Sequence, residues 1–425
     1  MTAEPTETSL VASLRGLDRD GRWLFALRTI RMFGYGFLAV VLVLYLAASG
    51  LDPIAIGAVL TLTLVGDTIV SLWLTTHADR LGRRRVLIAS SLLVVIAGLV
   101  FSVTNLLPLL ILAGIVGVIS PTGNEVGPFL AIEQASLTQV VPPRRRTATF
   151  AWYNLAGYVA TATGALLAGL LSQALISAGW HDVDAYRAVV VVYATIGLVM
   201  AVLATRLSPD IEVPASEARS EDDGIARRLG LGRSRSVVLR LSALFSLDAF
   251  AGGFIPQSLM AYWFALHFGV SPATLGAIFF AANLLAAVSS LSAARIAARI
   301  GLIETMVFTH LPSNVLLILV PLMPTLPLAV LMLLLRFTLS QMDVPTRQSY
   351  VMAVVQPDER SAAAGVTGIA RTIGAAISPS FSSVLVATAA TAALPFYLAG
   401  GLKIVYDVLI YRDFRKVRPE EEAAR

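Results

Sequence analysis

Ionisable side chains that sit inside long apolar stretches are the residues of this sequence most able to do chemistry. Asn124, Glu125, Glu133 and Gln134 share one such stretch, Asp343, Arg347 and Gln348 another, and Asp67 stands alone in a third. A charge at membrane depth is costly, and it usually faces a water-filled cavity or a partner. These residue types fit two tasks: recognition of a polar small molecule and reversible carriage of a proton. Asp343 and Arg347 are four apart and share a helix face unless Pro345 breaks the turn. Their spacing fits a self-neutralising ion pair as well as a binding role. Asp67 follows Gly66 and reads either as a proton site or as a structural acid whose bonds are satisfied.

Other chemistries are missing from the sequence. No Ser/His/Asp constellation and no Gly-x-x-x-x-Gly-Lys-Ser/Thr loop is present, so neither an enzyme nor an ATP-driven pump is expected. His77, His181, His267 and His310 lack ligand spacing, and the absence of cysteine removes disulfides and thiolate metal sites. No metal and no cofactor is expected.

These polar residues must be positioned by a membrane fold. Of 425 residues, 56% are hydrophobic and 14% charged, with mean hydropathy +0.77. Soluble domains carry about 25% charged residues. Twelve segments are long enough to cross a bilayer, near 24–49, 54–78, 86–104, 108–140, 147–178, 186–206, 237–266, 272–296, 302–323, 326–355, 361–390 and 393–411. Between the second and third lies the basic hairpin Asp79-Arg80-Leu81-Gly82-Arg83-Arg84-Arg85. Basic residues recur in alternate loops, whereas Leu51-Asp52-Pro53 and Asn105-Leu106 carry none, which places both termini in the cytoplasm. The net charge of +5 is therefore a topology signal and not a nucleic-acid signal. Arginine dominates over the two lysines, Lys403 and Lys416, which suggests a GC-rich genome and a bacterial inner (plasma) membrane. The expected partners are the lipid bilayer, a small-molecule substrate and a proton, with the chain a monomer.

The chain also repeats itself. At an offset of 219, Gly50-Leu51-Asp52-Pro53 meets Gly269-Val270-Ser271-Pro272, Gly34 meets Gly253, Gly57-Ala58 meets Gly276-Ala277, and Gly82 meets Gly301. At 214, Gln134 meets Gln348, Val141 meets Val355, Pro143 meets Pro357, and Arg146-Thr147-Ala148 meets Arg360-Ser361-Ala362. Glycine and proline in register over several segments imply two six-helix halves. The expected division is a tail 1–23, a bundle 24–206, a linker 207–236, a second bundle 237–411 and a tail 412–425.

The hairpin from Asp79 to Arg84, with Arg336 and the run Val355 to Arg360, resembles the major facilitator superfamily over nearly the whole chain. The resemblance implies an all-α integral membrane protein with twelve transmembrane helices in two pseudo-symmetric bundles. Its motif loop is Asp79, Arg80, Gly82, Arg83 and Arg84, with Asp79 expected to bond the end of the eleventh helix or a nearby Arg. The sequence departs from the family at Thr75, where glycine is usual, so helices two and eleven should approach less closely. Gly157, Gly164 and Gly169 are similar to the glycine motif of proton antiporters, though Ala165 and Ala168 depart from it.

In this family helices one, four, seven and ten line a central cavity, which places Asn124, Glu125, Asp343 and Arg347 as substrate or coupling residues; Asp67, mid-span on helix two, joins them as a candidate proton site. Pro121, Gly123, Gly127 and Pro128 should break the fourth helix beside Asn124 and Glu125. Glu133 and Arg347 are repeat-equivalent and opposite in charge, so they are expected to form a cytoplasmic gate across the axis. Arg28 and Asp248 miss the same register by one residue and make a weaker second pair, with Arg31 competing for the acid. Arg371 is expected to be structural, and Lys403 to pair with Asp407 four residues on. The implied function is a secondary transporter working by alternating access, as proton-coupled efflux. A uniporter or a proton-linked importer is the alternative. A non-transporting sensor is a reading of another class, for which the linker is short.

Overall fold

A computed structural model describes residues 17–125, 127–142, 146–212, 233–356, 359–415 and 417. Arg144, Arg145, Pro357, Asp358, most of both tails and linker residues 213–232 lie outside the described residues. All regular structure among the described residues is helical. The first half holds α1 (Arg19–Ala48), α2 (Pro53–Leu81), α3 (Arg83–Val103), α4 (Leu107–Val116), α5 (Phe129–Val140), α6 (Arg146–Ser177) and α7 (Asp182–Ala204). The second holds α8 (Arg235–Gly253), α9 (Gln257–Phe268), α10 (Pro272–Ile300), α11 (Leu302–Leu319), α12 (Leu326–Leu339), α13 (Asp343–Val354), α14 (Arg360–Ile377), α15 (Pro379–Val386) and α16 (Leu394–Phe414). Among the described residues, eleven helical stretches are long and apolar enough to span a membrane, and α4 with α5 supplies a twelfth, interrupted one.

The repeat seen in the sequence sets the element boundaries. α2 and α10 begin and end at an offset of 219, and α5 and α13 do so at 214. Asp52 and Ser271 cap their helices alike, accepting from the N–H groups of Ala55 at 2.8 Å and Thr274 at 3.3 Å. In each case proline follows at the first helical position, where no N–H is needed. At the other end of these helices, Gly82 and Gly301 turn the chain with φ of 95° and 98°. A side chain there would be strained, so the glycine match reports a shared tight turn.

The fourth and tenth spans are both broken, at residues 117–128 and 340–342. Two prolines and two glycines account for the longer break, where Gly123 and Gly127 have φ of 71° and 80°. Leu, Ile and Val side chains such as Ile69, Ile96, Val103, Leu198 and Val288 cover the outer surface, as a lipid-facing surface requires.

The halves meet through two repeat-related contacts near the Asp52/Ser271 end of the bundle. Gly57 lies against Ser380 and Ser383, and Gly276 lies against Ala165, Leu166 and Gly169. Position 57 plus 219 is 276, and 169 plus 214 is 383, so these are one contact made twice. The Ser380 hydroxyl donates to Thr61 Oγ1 at 2.7 Å, and the Ser258 N–H donates to the Pro121 carbonyl at 3.1 Å across the same junction. This face, opposite the basic loop, is closed.

Candidate functional site

Toward the basic-loop face the halves diverge around a cavity of about 800 Å³. Its lining runs from Asn124, Pro256 and Pro379 at mid-depth to Thr75, Gln134 and Ala364 in the turns nearest that face. Thr75 on α2 and Ala364 on α14 flank open space there, in keeping with a looser approach of those helices. Leu64, Leu130 and Ile369 make part of the wall apolar, while Asp67, Glu125, Asp248, Arg371 and Lys403 bring charge to it.

In the first half, the break between α4 and α5 carries the polar groups. The Gly127 N–H, freed from a helical ladder, donates to Asp67 Oδ1 at 2.7 Å, and the Ser71 hydroxyl donates to the same oxygen at 3.1 Å. Asp67 thus braces the irregular segment from α2. Asn124 is exposed to the cavity, and its carbonyl accepts from Ser120 Oγ at 2.7 Å. Glu125 bonds Arg28 and accepts from Arg31 at 3.1 Å. Arg31 also reaches Glu133 Oε2 at 2.9 Å, and the Tyr153 hydroxyl donates to the same carboxylate. Arg31 and Glu133 have no exposed surface, so Glu133 depends on Arg31 for neutralisation while Arg31 is shared between Glu133 and Glu125. Arg28 donates from Nε to the Tyr153 carbonyl at 2.8 Å, and Gly157 leaves room for its guanidinium.

In the second half, Asp248 on α8 is the hub. It accepts from Lys403, from Arg371 at 3.0 Å and from Arg347 at 3.4 Å. Arg347 also bonds Asp343 at 2.7 Å. Pro345 does not disturb that pair, because α13 begins at Asp343 and the proline occupies its first turn, where no intrahelical N–H bond is lost. Behind Asp248, His310 Nε2 lies 3.9 Å from it, and Nδ1 lies 2.8 Å from Asp407 Oδ1. Asn314 donates to Asp407 Oδ2 at 2.9 Å.

The pairs expected of Glu133 with Arg347 and of Arg28 with Asp248 belong to a state closed at the basic-loop face; this structure is open there, and the four side chains are neutralised inside their own halves. Two other expectations change. Lys403 and Asp407 do not pair with each other, because α8 and α11 place a better partner beside each. Arg371, expected to be structural, bonds Asp248 and lines the cavity. Arg31, Tyr153, His310 and Asn314 belong to these networks, and single-helix spacing gave no signal of the interhelical partners.

At the motif loop, Asp79 accepts from Arg83 Nε at 2.7 Å, so its partner is the nearby Arg. Glu212 receives the N–H groups of Arg83 at 2.6 Å and Arg84 at 3.1 Å, capping α3 where Gly82 has no side chain to do so. Arg83 and Arg84 further donate to the carbonyls of Ile211 and Thr205. Arg80 stands on the last turn of α2.

Comparison with known proteins agrees with this architecture. The chain is 30% identical over 419 residues to the uncharacterised membrane protein YJR124C of Saccharomyces cerevisiae, covering 92% of this chain and 93% of that one. The nucleoside transporter NupG superposes with a TM-score of 0.71 at 14% identity, over 93% of this chain and 99% of that one. A D-xylose–proton symporter gives 0.70 at 15% identity, over 95% and 98%. An inward-facing, occupied bacterial homologue of the human lysosomal transporter Spinster gives 0.71 at 16%, over 94% and 97%. The sequence profile of the Major Facilitator Superfamily matches residues 24–379 and 249–425. By this match, the two repeated halves and the shared cavity, the chain is a multi-pass membrane protein belonging to the Major Facilitator Superfamily.

Proposed function

We propose that this protein is a secondary active transporter that carries a small polar molecule by alternating access, with a proton as coupling ion. The observation that carries the reading is one cavity of about 800 Å³ walled by both halves, open between α2 and α14 toward the basic-loop face, while repeat-related contacts close the opposite face and α6 stays packed on α10. Rocking the halves about that contact would close one mouth as it opens the other. The distribution of basic residues among the loops favours a cytoplasmic orientation for the open face, arginine usage favours a bacterial plasma membrane, and a single chain lines the whole cavity.

Proton-linked efflux is the direction favoured by the α6 glycines, although Gly164 and Gly169 also serve close packing on Phe33 and Gly276. Cotransport of substrate and proton is the second reading, favoured by the tie between Asp248 and the two cavity-lining cations. A thermal-shift screen against metabolites and drugs, followed by flux assays in proteoliposomes under acid and alkaline gradients, tests both. No gradient-driven movement of any stabilising ligand would refute the transporter reading. The sign of the pH gradient that drives accumulation separates exchange from cotransport.

A further inference from the structure

Within its helices, the second half buries more positive charge than negative. Four acids are buried there among the described residues, and one of them, Glu359, is taken up by the N–H groups of Arg233 and Ser234 at the end of α8, which leaves Asp248, Asp343 and Asp407 within the helices against Arg336, Arg347 and Lys403, with Arg371 a fourth cation at the cavity wall. Arg347 is neutralised by Asp343 in its own helix, and Asp407 is bound by His310 and Asn314. Lys403 and Arg371 therefore share the one carboxylate of Asp248. Both line the cavity, and the Arg371 side chain is 33% exposed with only part of its five-donor fork engaged.

We propose that Lys403 and Arg371 form a subsite for an oxyanion group of the transported molecule, a carboxylate or a phosphate, for which Asp248 stands in between turnovers. This rests on the transporter reading for its biological role, but binding itself is measurable without transport. A forked guanidinium beside an ammonium suits a planar or tetrahedral oxyanion. Asp248 is the built-in competitor: it occupies the same donors and must release them for the ligand to dock.

Release leaves Asp248 buried with one arginine at 3.4 Å that already serves Asp343. A buried carboxylate stripped of its cations is costly, so it takes up a proton. His310, 3.9 Å away and held by Asp407 on its far side, is placed to share that proton. The groups facing this pair are Lys403, Tyr406 and Asp407 from α16, Arg347 and Asp343 from α13, Arg371 from α14, the buried Arg336 from α12, and Asn314 on α11. One proton thus enters with each oxyanion, and charge balance is kept: one negative ligand, one positive proton. Oxyanion affinity rises as pH falls, because protonating Asp248 frees the donors.

The test uses the full chain in phosphatidylcholine nanodiscs. Melting temperature is read with citrate, succinate, benzoate and glycerol phosphate at acidic and alkaline pH, with glycerol and sodium chloride at matched ionic strength as controls. The expected result is stabilisation by at least one oxyanion, larger at acidic pH and lost in Arg371→Gln. In Asp248→Asn, which has no charged competitor, that oxyanion should bind about tenfold tighter with little pH dependence. The proposal is overturned if every oxyanion behaves like the controls, if Arg371→Gln and Asp248→Asn both bind as wild type does, or if the wild-type effect ignores pH. Discs containing phosphatidylglycerol form a second arm: loss of the effect there assigns the subsite to a lipid headgroup and overturns a soluble ligand. A neutral molecule that is transported without any oxyanion effect would sink the subsite alone. An oxyanion that binds but is never moved would sink the transporter reading alone.

Discussion

Gly57→Ala should open the closed face. A Cβ on Gly57 would lie 2.2 Å from Ser383 Oγ, 2.9 Å from Ser380 Cα and 3.0 Å from the Ser380 carbonyl oxygen. The hydroxyl can rotate aside, but the two backbone atoms cannot, so α2 and α15 must separate by several tenths of an ångström. Overpacking of this kind costs about 1–3 kcal/mol. The cost applies only while these helices touch and vanishes in a state that parts them. The gain in helix propensity from Gly to Ala, up to ~1 kcal/mol, is the same in both states and cancels. The equilibrium should therefore shift by roughly 5–150-fold away from the state described above. Gly276→Ala, its repeat partner, would meet the Ala165 carbonyl at 2.8 Å and Gly169 Cα at 3.1 Å and should push the same way. The chain has no cysteine, so a spin-label pair introduced by Trp180→Cys and Leu266→Cys reports cleanly. These exposed positions lie on different halves at the closed face. Double electron–electron resonance should show a longer-distance population growing in Gly57→Ala. An unchanged distribution in the folded variant would mean that this contact does not hold the face shut.

Three further outcomes follow from the buried networks. Glu133→Ala leaves the fully buried Arg31 with Glu125 alone and should cost about 3–5 kcal/mol, read as a lower melting temperature; a variant as stable as wild type would show that Glu133 is not needed to neutralise Arg31. Asp67→Asn keeps an acceptor for the Gly127 N–H and should retain stability and most transport; complete loss of transport at normal stability would make Asp67 the proton carrier in place of Asp248. Glu212→Gln weakens the cap on α3 by about 0.3–1 kcal/mol and should leave transport rates unchanged; a strong transport defect would give the motif loop a role in the conformational cycle.

Much of the architecture was legible because it is written in local chemistry. Glycine and proline in register implied two repeated halves, and the structure adds the physical reason: Asp52 and Ser271 cap equivalent helices, and Gly82 and Gly301 make equivalent turns. The break near Asn124 follows from residues that cannot sustain a helical ladder. The ion pairs were less legible. Spacing of four says that Lys403 and Asp407 could meet on one helix, and it said the same of Asp343 and Arg347. Only the second pair forms, because the choice depends on what the neighbouring helices present. Arg31 reaches Glu133 and Lys403 reaches Asp248 across separations of 102 and 155 residues, which no single-helix pattern encodes. Repeat equivalence brought Glu133 and Arg347 to notice, but it marks positions related by the axis, and contact between them would require the basic-loop face to close.

On the cotransport reading, to which the Asp248 subsite belongs, the central claim is that the cavity between the halves carries a ligand across the membrane together with a proton taken up at Asp248, whereas exchange would make the lumen more alkaline. Its most direct measurement is proton movement driven by ligand in proteoliposomes loaded with a pH-reporting dye. A ligand that stabilises the purified protein, placed outside at equal starting pH, should acidify the lumen in wild type and leave it unchanged in Asp248→Asn. Ligand entry without acidification in wild type, or equal acidification in Asp248→Asn, would contradict the account.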